Sequence, residues 1–337
     1  MTNIEKRSAR FGAAILIFSV LLRLTAAVST MTAQAEGFSP HRPVGGITIG
    51  QRPGPTTTLP TAPTVTTIPQ APTTPNAPMP QPGIRFEPAD MAYVRLRYAT
   101  DCGYRAETET LLLQSVDWKL EDGPAVLIIH SHATESYTKT EGQTYWESGD
   151  YRTENDAYNM VAVGDALAEL LQARGIGVLH DRQLHDYPSY NAAYTNSRKS
   201  VADYLREYPT IRIVLDLHRD AALNADGSQY ATAATVNGER SAQVMLLVGT
   251  DWAGGSHGNW QDNLALALKL QALLEKAHPG ITRDTLLRGY AFNQDLCTGM
   301  LIVEVGTAGN TLQEALRAMQ PLADAIAAMK NGANTDA

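Results

Sequence analysis

Apolar positions organise the chain from about Met91 onward. Ala125-Val126-Leu127-Ile128-Ile129 is an unbroken apolar run behind Gly123-Pro124, the pattern of a buried strand. Thr153 opens a T-x-x-D start signal. Met160, Val163, Leu167, Leu170 and Leu171 then follow at helical spacing as far as Gly175, which predicts a helix. Ile176 to Leu179 reads as a second strand, Tyr190 to Tyr208 as a helix stopped by Pro209, and Ile211 to Leu217 as a third strand. Val236-Asn237-Gly238-Glu239 carries a hairpin signal ahead of a strand from Val244 to Val248. Asn263 to Lys276 predicts a helix, Met300 to Val305 a strand, and Leu312 to Met329 a last helix that contains Pro321. Strands alternating with helices of this length predict an α/β fold, a mostly parallel twisted sheet with helices on both faces. No internal repeat breaks that pattern.

Upstream the pattern changes twice. Lys6, Arg7 and Arg10 precede an apolar run from Phe11 to Leu22, Arg23 interrupts it, and small residues continue to Val28. The uninterrupted run falls short of the roughly 17–25 residues of a spanning helix, and Ala33-Gln34-Ala35 resembles a signal-peptidase site. If Arg23 snorkels, residues 11–28 are long enough to span. Residues 1–35 therefore read as a membrane anchor or a signal peptide, with the basic end cytoplasmic and the rest outside. The two localisations that follow are a single-pass membrane protein with an extracytoplasmic domain and a secreted protein. Residues 36–88 hold 13 of the 18 prolines, interleaved with Thr and Gly, without an amphipathic period. Such a segment buries too little apolar surface to order itself and serves as a semi-extended, disordered linker. The remaining division is a catalytic domain over 89–332 and a disordered tail over 333–337.

Composition narrows the function. Hydrophobic residues make up 44% of the chain, enough for a substantial core, and the net charge is −8. That balance excludes nucleic acid as a partner and argues against adhesion of the folded part to an anionic membrane, because both need a concentrated basic face. Cys102 and Cys297 are too few for a disulfide scaffold and lack metal-ligand spacing. One disulfide between them and two free thiols are both open.

Ligands of open α/β sheets bind beyond the carboxyl ends of the strands, and three strand ends here carry polar chemistry. They are His130-Ser131-His132-Ala133-Thr134-Glu135, Asp216-Leu217-His218-Arg219-Asp220, and Glu304 followed by Gly306-Thr307-Ala308-Gly309-Asn310. His132 and Glu135 have H-x-x-E spacing, which puts both on one face of a tight turn. With His218 they make two imidazoles and a carboxylate, a ligand set that leaves a fourth zinc position for water. Zinc lowers the pKa of that water to about 7 and polarises a scissile carbonyl. Glu304 is the candidate proton acceptor and Arg219 the candidate for stabilising an oxyanion or binding a substrate carboxylate.

Blander readings stand beside these. Strand-end histidines often bond backbone carbonyls, and a first-turn Glu154 is usually a helix-dipole residue although it is an alternative third ligand. His130 is an alternative to His132. Glu304 inside Leu301-Ile302-Val303 and Val305 needs a charged or metal partner if buried. The His180-Asp181 and His185-Asp186 repeat reads as cleft rim. Asp251-Trp252 and His257 to Trp260 offer either a saccharide platform or helix capping and packing. Ser131 lacks a nucleophile-elbow context and neither cysteine has an evident base, which disfavours covalent catalysis.

The runs HSHATESY (130–137), VAVGDALAELLQARGIGVLHD (161–181), YPTIRIVLDLHRDA (208–221), NLALALKLQ (263–271), NQDL (293–296) and LIVEVGTAGNT (301–311) resemble the stage II sporulation protein P family over about Arg97 to Met329. More distantly, the order strand–His, strand–His, strand–Glu is similar to the zinc N-acetylmuramoyl-L-alanine amidases, with His132, His218 and Glu304 in those places. Amidase likeness puts the carboxylate ligand at Glu154; a likeness to zinc carboxypeptidases puts it at Glu135, the preferred reading. The resemblance implies a three-layer amidase/carboxypeptidase-like architecture and zinc-dependent cleavage of the amide between muramic acid and L-alanine in peptidoglycan, extending to peptide cross-links. It further implies a retained membrane helix and action in forespore engulfment with the lytic transglycosylase stage II sporulation protein D. Alternative readings are a non-catalytic wall-binding module and a zinc carboxypeptidase that trims stem peptides.

Overall fold

The computed structural model describes residues 83–120 and 123–335, so the anchor and most of the linker expected upstream lie outside the described residues. In chain order the elements are β1 (Leu96–Tyr98), α1 (Thr108–Leu113), β2 (Pro124–Ile129), α2 (Met160–Gln172), β3 (Gly177–His180), α3 (Ala193–Glu207) and β4 (Ile213–Asp220). Then follow β5 (Ala234–Val236), β6 (Glu239–Ser241), β7 (Val244–Val248), α4 (Trp260–Ala277), β8 (Thr285–Leu287), β9 (Met300–Thr307) and α5 (Leu312–Ala328). Seven strands form one sheet in the order β1-β8-β7-β9-β4-β2-β3, and β5 and β6 form a separate hairpin. Neighbours in the large sheet are parallel except β7 and β9. The fold is α/β with a mostly parallel sheet.

Strand alternation divides the core between the two faces. Val126, Ile128, Ile213, Leu215, Leu217, Leu301, Val303 and Val305 pack with Leu167 and Leu171 of α2, with α4, and with Leu322 and Ile326 of α5. Leu127, Ile129, Val214 and Met300 point the other way and meet Val201, Tyr204 and Leu205 of α3. Among the described residues no helix is long and apolar enough to cross a membrane.

Several boundaries differ from the sequence reading. The helix expected after Thr153 begins at Met160, because the Asn159 side chain accepts from Val161 N and caps it there. The Thr153 hydroxyl instead donates to the Trp146 carbonyl at 2.6 Å. β4 runs on to Asp220 because its register with β9 continues past His218↔Glu304. β1 and β8, three residues each, are too short to show a period. Ile84 and Phe86, assigned to the linker, and Ala333, assigned to the tail, belong to the folded body. Phe86 and Ala333 are buried, Ile84 bridges Ala333, and Phe86 N donates to Asn334 Oδ1 at 2.7 Å. The hairpin signal was sound: Asn237 and Gly238 both have positive φ, as its tight turn requires. Cys102 and Cys297 are both free thiols.

Candidate active site

β2 ends at Ile129, and the chain bends at once across the end of β4. Ser131 makes the bend, its backbone N donating to Asp216 Oδ1 at 2.7 Å and its hydroxyl to Asp216 Oδ2 at 2.6 Å. A turn then closes from Glu135 N to the His132 carbonyl (3.1 Å), so the two side chains of the H-x-x-E pair sit together. His132 and Glu135 are both buried. β4 brings His218 to the same place. Its Nδ1 lies 3.5 Å from Glu135 Oε2, and its ring centroid lies 5.4 Å from that of His132 at 77°. Across the β4–β9 ladder, Glu304 is the register partner of His218.

The electrostatics separate the two glutamates. Burial alone would raise the Glu135 carboxyl, but the Arg219 guanidinium and His218 outweigh it and hold the group well below the usual carboxylate range. Burial, with Asp220 adding to it, pushes Glu304 up to about 8, partly offset by His218. Glu304 keeps a water-accessible edge while its Oε2 is buried without a hydrogen-bond partner. Burial opposes a charged His218, but Asp216 and Glu135 outweigh it and hold the imidazole well above its ordinary value.

The other candidates fall elsewhere. Arg219 follows His218 on β4 and turns its guanidinium to the loop after β2. Its Nε and Nη2 donate to the carbonyls of Ser136 and Tyr151, and its backbone N donates to Glu135 Oε2. It clamps the loop that carries His132 and Glu135, and the oxyanion role expected of it is not supported by this placement. His130 is buried under α2 with Nε2 2.8 Å from His180 Nε2, and burial pushes it down to about 3. Glu154 is exposed in the turn before α2. Of the His-Asp repeat, Asp181 binds His185 and Ser200, whereas Asp186 reaches the site. Trp260 stacks on Tyr104 at 5.1 Å and Trp252 meets that ring edge-on, which is the packing alternative.

A family model for stage II sporulation protein P matches residues 99–327. The chain belongs to the stage II sporulation protein P family. The stage II sporulation protein P of Bacillus subtilis (strain 168) is 30% identical over 220 residues, which are 62% of this chain and 51% of that protein. The match thus spans about half the length of that curated relative. Among solved structures, the CwlD amidase from Clostridioides difficile in complex with the GerS lipoprotein has a TM-score of 0.36 at 13% identity, covering 60% of this chain and 94% of that one. The N-acetylmuramoyl-L-alanine amidase AmiC2 of Nostoc punctiforme gives 0.36 at 13%, covering 62% and 96%.

In this member of the family, the site also contains residues that sequence reasoning missed. Asp186 accepts from the Thr134 hydroxyl at 2.5 Å and from Arg152 at 2.7 Å, and its Oδ2 faces His132 Nδ1 at 3.8 Å, beyond hydrogen-bond length. Asp216 Oδ1 lies 2.9 Å from His218 Nε2, yet out of alignment for a hydrogen bond. Tyr190 stacks on His132 at 4.5 Å, and Tyr194 meets the same ring edge-on at 5.6 Å. Asp186 was visible only as half of a repeat, Arg152 carried no signal because a loop brings it in, and Tyr190 and Tyr194 come from the turn before α3 and from its first turn.

Whether zinc suits these residues can be judged from their donors. Among the described residues no three His, Cys, Asp or Glu groups stand as a finished metal cluster. His218 presents Nδ1 to Glu135 Oε2 at 3.5 Å and Nε2 to Asp216 Oδ1 at 2.9 Å, and His132 presents Nδ1 to Asp186 Oδ2 at 3.8 Å, so each imidazole turns one nitrogen to a buried carboxylate and keeps the other for a cation. With Zn–N of about 2.1 Å, two imidazoles on one tetrahedral ion have centroids about 5 Å apart, near the 5.4 Å found. The donor types and this pairing of imidazole with carboxylate fit the ion, and Glu135 beside His218 Nδ1 would be the third donor.

Proposed function

We propose that this chain is a zinc-dependent peptidoglycan hydrolase, an N-acetylmuramoyl-L-alanine amidase acting in forespore engulfment. The observation that carries the reading is the meeting of His132, Glu135 and His218 at two strand ends, with Glu304 in register beside them. His132, Glu135 and His218 would hold the ion. When bound, zinc supplies a lowered water pKa and a polarised substrate carbonyl. Glu304 receives the proton of the attacking water on its carboxylate and returns it to the departing L-alanine nitrogen. A cation nearby favours the ionised carboxylate that this task requires. Asp216 orients His218 and Asp186 orients His132, while the rings of Tyr190 and Tyr194 keep solvent from the His132 imidazole. Arg219 fixes Glu135 through the backbone and guanidinium contacts above.

Attachment to the membrane through residues 11–28 and cooperation with stage II sporulation protein D are part of the same proposal and rest on the family resemblance. The test uses the full-length chain, assayed for bound zinc and for products released from purified sacculi. Stoichiometric zinc with intact stem peptides and bare glycan supports the amidase. Free terminal D-alanine points instead to a carboxypeptidase, and binding to sacculi without hydrolysis at any pH to a wall-binding module. His218→Ala is expected to lose both zinc and hydrolysis; full activity in that variant refutes the site.

A further inference from the structure

Arg152 stands at the centre of contacts that reach both sides of the site. Its Nη1 donates to Asp186 Oδ2 at 2.7 Å and to the Thr134 hydroxyl at 3.1 Å, and its Nη2 donates to Glu135 Oε1 at 3.2 Å. The guanidinium carbon lies 4.7 Å from the centre of the Tyr190 ring, which on its other contact stacks on His132 at 4.5 Å and 18°. One planar fork therefore touches Glu135 directly and two of the neighbours of His132, the Asp186 carboxylate and the Tyr190 ring. The backbone of Arg152 is fixed as well: it bridges Glu135 in antiparallel fashion, and its carbonyl accepts from Ser148 N at 3.0 Å.

From this geometry we infer that Arg152 is a positioning residue that sets the orientation of Glu135 and His132 toward a bound divalent cation. The inference rests on the zinc reading above and deepens it. Arg219 also holds Glu135, through its backbone N at 3.2 Å and its Nη1 at 3.5 Å from Oε1. Losing Arg152 therefore loosens the donor set without emptying it. Partners of metal ligands at this remove typically change metal affinity by about 10–100-fold. An ammonium in place of the fork reaches one carboxylate and cannot bridge two, so lysine restores only part of the effect.

The test is the zinc affinity of the full-length chain, measured by competition with a chelator of known affinity, for wild type, Arg152→Met and Arg152→Lys. Thermal unfolding of each in excess chelator reports the fold separately. The expected result is zinc affinity about 10–100-fold weaker in Arg152→Met, with Arg152→Lys between it and wild type. A merely structural ion pair would lower the metal-free melting temperature and leave zinc affinity unchanged, and that result overturns the inference. If Arg152→Met does not fold, Arg152→Lys decides: affinity equal to wild type overturns the inference, and a weaker one supports it. Should wild type itself hold no zinc, the proposed function falls along with this inference; equal affinities in a zinc-binding wild type and its variants sink only the latter.

Discussion

Replacing Glu304 by Gln keeps the shape of the side chain and removes its ionisation, and stability and activity should then move in opposite directions. In the metal-free fold the carboxyl is pushed up to about 8 from an ordinary 4.5. Between those values the native state binds more protons than the unfolded chain, so wild-type stability falls as pH rises from about 4.5 to about 8. Each unit is worth about 1.36 kcal/mol, which makes the cost at pH 7 about 3 kcal/mol before screening. Water at the accessible edge of Glu304 weakens this, leaving roughly 1–3 kcal/mol. Glutamine does not titrate. Glu304→Gln should therefore melt higher than wild type, by roughly 2–10 °C at about pH 8 for a domain of this size. At about pH 5, where little of the linkage is engaged, the gap should nearly close. Hydrolysis of sacculi should fall by about 10²–10⁴-fold, the range of a lost general acid–base group. The assays are thermal unfolding in excess chelator across that pH range and product release at saturating zinc. A melting difference independent of pH, or wild-type activity in the variant, would refute the reasoning.

Two further outcomes follow from buried groups in α4 and α2. Lys269 is fully buried in α4, its ammonium donates to the Leu111 carbonyl at 2.8 Å, and burial pushes it down to about 8. The unfolded chain then binds more protons between about 8 and 10.5, so wild-type stability rises with pH across that window. Lys269→Met should flatten that rise and add about 1–2 kcal/mol at pH 7, the desolvation cost removed less the hydrogen bond lost. Urea unfolding at about pH 7 and pH 10 measures both, and an unchanged slope sinks the argument. Gly164 of α2 packs against two imidazoles: a methyl placed there would lie 2.4 Å from His180 Nε2 and 2.6 Å from His130 Nε2. Gly164→Ala should cost about 1–3 kcal/mol, read as a lower urea midpoint; a variant as stable as wild type would show that the histidine pair parts freely.

How much of this was legible depends on where each residue sits. The apolar runs of β2, β7 and β9 announced themselves because strands buried on both faces leave no polar alternation to confuse. His132, His218 and Glu304 were legible because each follows or ends such a run. The start of α2 was not, since Thr153 and Asn159 both offer cap chemistry and only the folded loop shows Thr153 bonded to the Trp146 carbonyl. That shift also bears on the two glutamates offered as third ligand: with the helix beginning at Met160, Glu154 is left exposed, whereas Glu135 lies beside His218. Arg152 and Asp186 reach the site from separate loops, at a distance in sequence that no spacing encodes. Arg219 is the instructive case. Alternation along the strand turns Arg219 away from its neighbour His218, and its guanidinium accordingly reaches carbonyls of the adjacent loop, whereas His130 and His132 are two apart and are separated by the bend at Ser131 after β2 ends.

That placement of Arg219 has a chemical consequence for the division of labour between the two glutamates. Held by Arg219 from one side and by Arg152 from the other, Glu135 is anionic before any cation arrives. An ion meets a donor already charged and oriented. Among the described residues no guanidinium contacts Glu304, one of its oxygens is orphaned, and burial raises its carboxyl to about 8, where a proton is gained or lost readily. Environments that drive two carboxyls apart in this way assign one to fixed charge and the other to proton transfer. The same logic explains why the exchange does not work in reverse. Glu135 as the proton carrier would have to be protonated against two arginines, and Glu304 as the fixed ligand would have to stay ionised in a pocket that favours its neutral form. The roles proposed for the two residues follow from their neighbours, and chiefly from an arginine that clamps the loop carrying Glu135.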